Sequence, residues 1–139
     1  MIDAIFSSDT MKILEKSLNA ASLQHQLITN NIANVDTPGF KASEVVFQSK
    51  LQQALDKTQD DYLRLKLTNK NHIPIVPEMT INNVEPEIVT RTETSLRTDD
   101  NNVDIDSEMS KMAENTVYYS TLSELMSLKL GMLKNVITT

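Results

Sequence analysis

From Asp99 to Asp106 the chain reads Asp-Asp-Asn-Asn-Val-Asp-Ile-Asp, and alternating carboxylates and amides are a calcium ion's preferred donors. Counted from Asp100, residues Asn102 and Asp104 keep the alternation of a calcium loop. Ile105, however, stands where that loop turns on glycine, and Lys111 where its bidentate glutamate belongs. A helix-capping cluster accounts for the run better, because acids are stabilised at the positive end of a helix dipole. The remaining chemistry-bearing side chains are scattered. His25 lies in a line of apolar residues, where a histidine is expected to pack, and His72 has no partner at metal-ligand spacing. No cysteine is present, so thiolate sites and disulfides are excluded. Phosphate loop, dinucleotide fingerprint and nucleophile elbow are all missing from the sequence. The residues therefore point to no enzyme, no metal and no cofactor.

The pattern that does organise the chain is heptad spacing at both ends. Residues 11–35 carry Met11, Leu14, Leu18, Ala21, Ile28, Ile32 and Val35, with His25 as the exception. Residues 105–137 carry Ile105, Met109, Met112, Tyr119, Met126, Leu130, Leu133 and Ile137, interrupted by Thr116 and Ser123. Alternating steps of three and four keep a seam on one side of a helix. The expected fold is mainly α, with long N- and C-terminal helices pairing as an α-helical coiled coil around an extended, partly β or disordered middle. A second line, Tyr118, Leu122, Leu125, Met132 and Val136, widens the C-terminal stripe beyond what a two-stranded seam needs. The methionines Met109, Met112, Met126 and Met132 suit either an adaptable groove or plain core, and both imply burial against another helix.

At 139 residues a single domain is the prior, but aromatics are 4% and tryptophan is absent, fewer anchors than a thick core uses. The net charge of −6 disfavours nucleic acid, which requires a basic stripe. Residues 83–106 hold seven acids against Arg91 and Arg97, a net of −5, whereas residues 107–139 balance three acids with three lysines. No stretch is long and apolar enough to cross a membrane, and the opening residues lack the basic region of a secretory signal.

Three segments are expected: 1–36, 37–106 and 107–139. The first helix starts at Ser7, Ser8 or Asp9, all good caps, and ends near Val35. Thr37 precedes a proline and leaves the helical region. Pro38 and Gly39 then suit the central positions of a type II turn, with Phe40 anchoring it. Residues 44–67 read as a weaker helix with a polar break at Asp56–Asp61. From Asn69 to Asp106, with Pro74, Pro77 and Pro86, extended chain with one hairpin is expected, ordering against another subunit. The last helix runs from Asp104–Ser107 to about Val136. Gly131 inside it costs about 1 kcal/mol relative to alanine, a cost that close approach of another backbone would offset.

Ser17 to Val35 contains no charged residue. Its polar side is Asn19, Ser22, Gln24, Gln26, Thr29, Asn30, Asn31 and Asn34. Amides can be buried when hydrogen-bonded and lone charges cannot, so this helix is expected to be covered by protein on most sides.

The residues after the first seam, Asn31-Ile-Ala-Asn34-Val-Asp-Thr37-Pro38-Gly39-Phe40-Lys41, resemble the signature of the bacterial flagellar basal-body rod and hook proteins. The C-terminal stretch from Asn102-Val-Asp104 through Glu108-Met109 to Leu133 is similar to the family's last helix. Within the family, the short length and lack of a large inserted domain resemble the proximal rod members. The resemblance implies an axial structural protein without catalytic activity. It would be exported by the flagellar type III apparatus without a cleaved signal and polymerise in the periplasm. Implied neighbours are copies of itself, FlgC-type rod subunits, the MS-ring adaptor FliE and a rod-capping protein. It further implies that the terminal helices pair to line an inner tube, and that the segment after the turn packs between subunits.

On this reading Asn31, Asn34, Thr37, Pro38, Gly39, Phe40 and Lys41 form a subunit-contact turn. Leu14, Leu18, Ile28 and Ile32 would meet Met109, Met112, Tyr119, Met126, Leu130 and Leu133 along the seam. The free monomer is expected to be partly disordered, since isolated amphipathic helices draw most of their stability from packing. A small acidic type III secretion chaperone is the rival: it would also be helical and acidic, but it would carry a charged surface.

Overall fold

The computed structural model describes residues 8–56, 81–92 and 97–138. Helix α1 spans Asp9–Ala33. Ser8 begins it in an extended conformation, and its carbonyl accepts from the amides of Met11 (2.9 Å) and Lys12 (3.2 Å). Strand β1 is Ser43–Val46, helix α2 is Gln48–Asp56 and strand β2 is Glu87–Thr90. Helix α3, Ile105–Thr138, has 34 residues and is about 51 Å long at 1.5 Å per residue. Its N-cap is Asp104, whose Oδ1 accepts from the amides of Asp106 (3.1 Å) and Ser107 (3.4 Å). Of the acidic run, Asp104 thus caps the helix.

The two long helices lie antiparallel. Asn31 near the end of α1 meets Glu108 near the start of α3, and Leu14 packs with Leu122. Leu14, Ala21 and Leu122 form one buried cluster, flanked by Leu18, Tyr118 and Met126. A second cluster, Ala20, Phe47, Ala54 and Val84, joins α2 and the 3-10 turn Ile81–Asn83 to the other side of α1. Lys12 and Lys16 hold that turn, donating to Asn82 Oδ1 (2.9 Å) and to the carbonyls of Asn82 (2.8 Å) and Val84 (2.7 Å).

The middle segment departs from the sequence reading in two places. The helix expected from residue 44 begins only at Gln48, because residues 43–46 form a strand. That strand pairs antiparallel with β2, Ser43 opposite Thr90 and Val46 opposite Glu87. Of the stretch 69–106 in which a hairpin is expected, the described strand, β2, pairs at long range with β1. Both differences have one cause: β1 has partners on both edges. Gln24 Oε1 and Asn31 Oδ1 of α1 accept from the amides of Val45 (2.8 Å) and Ser43 (3.0 Å), while β2 takes the other edge. Tertiary partners override a weak local helical preference. The expectations for Lys57–Asp61, Tyr62, Leu63, His72, Ile73, Ile75, Pro74 and Pro77 fall outside the described residues, as does the part of the N-cap reading that rests on Ser7.

Candidate functional site

The turn after α1 is built from its backbone outward. Phe40 donates its amide to the Thr37 carbonyl (3.3 Å), closing a four-residue turn with Pro38 and Gly39 at its centre. Gly39 has φ +73°, a region where L side chains are strained. A Cβ there would touch nothing within 4 Å, so glycine is required by conformation and not by space. Asn34 prepares the turn: its Nδ2 donates to the Asn30 carbonyl (2.8 Å) and its Oδ1 accepts from Thr37 Oγ1 (3.2 Å).

A brace comes from residues 97–103. Asn101 is fully buried. Its Nδ2 lies within hydrogen-bonding distance of the carbonyls of Asn34 (2.9 Å), Val35 (3.0 Å) and Thr37 (2.9 Å), in the chain that leaves α1. Its Oδ1 accepts from the amide of Val103 (2.7 Å). Asn102 spans the strands, accepting from the Ala42 amide (2.7 Å) and donating to the Arg91 carbonyl (3.0 Å). Gly39 donates to the Asp99 carbonyl (2.8 Å), and Lys41 to the carbonyl of Asp100 (2.7 Å). Asp100 itself sits at φ 58°, where Asp and Asn are tolerated. Arg97 pairs with Asp99 at 2.8 Å; that hydrogen bond holds the Asp99 carboxyl below its ordinary range against a smaller opposing effect of burial. Asn102 Oδ1 and Asp104 Oδ1 are thus occupied by backbone donors, and among the described residues no cluster of His, Cys, Asp and Glu could hold a metal.

Beneath the turn Asn31, also buried, joins three elements. It donates to the Ser43 carbonyl (2.9 Å) and to Glu108 Oε2 (2.9 Å), and accepts from the Ser43 amide. Glu108 is buried as well and is neutralised by Lys111 at 2.5 Å. Two turns further along α3, Asn115 donates to the Ala21 carbonyl (3.0 Å). The line of α3 facing α1 therefore runs through Glu108, Asn115 and Leu122.

The residues of the expected seam are distributed unevenly about that line. Leu14 and Ile28 are buried, and Leu18, Ile32, Met112, Met126 and Leu133 are half-buried. Met109 (51%), Tyr119 (45%) and Leu130 (43%) are exposed, as is Met132 (62%). The structure brings Leu14 and Leu18 to Tyr118, Leu122 and Met126, two of which belong to the second apolar line. In the turn, Asn31 is buried, Asn34, Phe40 and Lys41 are half-buried, and Thr37, Pro38 and Gly39 are exposed. His25 is exposed, not packed. The uncharged face of α1 divides: Gln24 and Asn31 are used by β1, whereas Asn19, Ser22, Gln26, Thr29 and Asn30 remain exposed in the single chain. Gly131 meets no other atom within 4 Å of where a Cβ would stand. Asn101 and Asn102 escaped the sequence reading as site residues, although an Asn-Asn pair inside an acidic run was the available signal.

The comparisons with known proteins agree with this arrangement. The family model described as flagella basal body rod protein matches residues 11–41, which cover most of α1 and the turn. The flagellar basal body rod protein FlgB of Bacillus subtilis is 37% identical over 94% of this chain and 95% of its own length. FlgB of Borrelia hermsii is 34% identical over 84% and 86%, and FlgB of Salmonella typhimurium 26% over 91% of each. With more than 30% identity across almost the whole of both chains, this protein belongs to the FlgB family of flagellar basal body rod proteins.

Proposed function

We propose that this chain is a structural, non-catalytic subunit of the proximal rod. It polymerises into the periplasmic drive shaft that carries torque from the MS ring to the hook. One observation carries the reading. Helix α3 has apolar residues on every side, yet the described residues of one chain cover one line of them. Val117 (66%), Leu125 (47%), Leu128 (55%), Met132 (62%) and Val136 (75%) face outward. A helix apolar all round is one that is buried all round, and assembly supplies the missing cover.

On this reading the chain divides into an N-terminal helix (1–36), a subunit-contact segment (37–106) and a C-terminal helix (107–139). Asn31, Asn34, Thr37, Pro38, Gly39, Phe40 and Lys41 present a fixed turn to a neighbour. The exposed seam residues Met109, Tyr119 and Leu130 meet other subunits. Neighbours are further copies, FlgC-type rod subunits and the adaptor FliE, with a rod-capping protein assisting. Delivery is through the flagellar type III export channel without a cleaved signal. Among the described residues no helix is long and apolar enough to cross a membrane.

Deletion of the coding gene followed by complementation tests this. The proposal expects basal bodies without a rod in the deletion strain, seen by electron microscopy, and restored motility on re-expression. Complete rods in the deletion strain would contradict it.

A further inference from the structure

Between α1, β1 and α3 lies an open groove of about 940 Å³. Its apolar walls include Ala20, Ala21, Ile28, Val45 and Tyr118, and Glu114 is exposed on its α3 side. No segment of the described chain fills it. The same helix carries an apolar stripe that no other described element covers. Leu125, Leu128, Met132 and Val136 step by three, four and four, so they share one face. Their exposures rise from 47% at Leu125 through 55% and 62% to 75% at Val136. Lys129 flanks the stripe, and no acid occurs from Leu125 to Thr138.

The groove residues of α3, Glu114, Tyr118 and Thr121, continue the face that Leu125, Leu128 and Met132 occupy further along. A continuous helix cannot fold back so that its own stripe enters its own groove. We propose that the groove of each chain receives the α3 stripe of a second copy of this chain, with Lys129 of the incoming helix set against Glu114. The proposal rests on the rod-subunit reading and names a surface by which copies meet. Every copy carries both halves of the contact. Apolar burial supplies the association, and the lysine–glutamate pair sets register and excludes a reversed fit. Leu128 and Met132 are the anchors, because large side chains that fill a pocket dominate contact energies.

Charge exchange on the full chain tests this, with association measured by sedimentation equilibrium over a concentration series. All three altered positions lie on the surface of α3, so far-UV circular dichroism should match the unaltered chain. The unaltered chain should self-associate. Glu114→Lys alone and Lys129→Glu alone should each weaken association about tenfold, because each places like charges together. An equimolar mixture of the two variants should recover the original affinity, since each groove then meets a stripe of opposite charge. Met132→Glu should abolish association of that variant with itself. A chain that stays monomeric throughout the series would overturn the proposal. So would single variants that associate like the unaltered chain, or a mixture as weak as its components. Any of these failures leaves the rod reading intact if the chain is still found in purified basal bodies.

Discussion

Two buried asparagines decide the geometry of the turn. Asn101 is the more exacting, because its two amide hydrogens lie among three carbonyls of the residues that follow α1. Asn101→Ala should destabilise the chain by about 1–3 kcal/mol in urea denaturation, the cost of removing the partners of the Val35 carbonyl and the Val103 amide. Asn101→Asp, which keeps the volume but loses the donor, should do no better. Gly39→Val forces a β-branched residue to φ +73°, at about 1–2 kcal/mol of backbone strain. The same denaturation assay should register it, and motility should fall further than stability alone explains, because the turn would no longer fit its neighbour. Normal motility in that variant would remove the contact role of the turn. The Arg97–Asp99 pair has a definite pH sign. A carboxyl held below its ordinary value contributes stability above the unfolded value, 3.8 for Asp99, and loses it as pH falls through the lower folded value. The protection factor of the Gly39 amide, bonded to the Asp99 carbonyl, should therefore stay constant above 3.8, fall as pH drops from there towards the lower folded value, and gain nothing from the pair below it. These side chains were partly legible in the sequence. The Pro38-Gly39 pair announces a turn through local sterics alone, whereas the role of Asn101 depends on carbonyls more than sixty residues away, and no local pattern records it.

At the scale of elements, both long helices can be read from heptad spacing, and their ends from Thr37-Pro38 and Asp104. Asp104→Ala should cost about 1 kcal/mol and speed amide exchange in the first turn of α3 before the rest. Gly131 lies in open space, so Gly131→Ala should raise the stability of the isolated chain by up to about 1 kcal/mol. If assembly brings a second backbone there, the same change should impair motility despite the gain. The strands were not legible as a pair. β1 has alternation too short to distinguish from a helix start, and β2 lies beyond the intervening residues 47–86. Their pairing is fixed by Gln24 and Asn31 on α1, whose side-chain oxygens accept from the β1 backbone. The outward-facing amides Asn19, Gln26 and Asn30 have no such role among the described residues, and a neighbouring subunit is the cover they imply.

At the scale of the whole molecule, the described residues form one antiparallel helix pair with a braced turn at one end and, at the other, an apolar length of α3 that the described part of α1 does not reach. Stability should follow that asymmetry. Amide exchange on the free chain should show protection near Asn31, Glu108 and Asn115, falling towards Val136, and the unprotected end should become protected on assembly. Uniform strong protection along both long helices in the free chain would contradict folding on assembly. The central claim is that this chain is built into the rod, and peptide mass spectrometry of detergent-extracted, salt-washed hook–basal bodies tests it most directly. The account predicts the chain in fixed stoichiometry with the other rod subunits and resistant to the wash. Its absence from the particle, with the chain left in the cytosol as a chaperone would be, would contradict it.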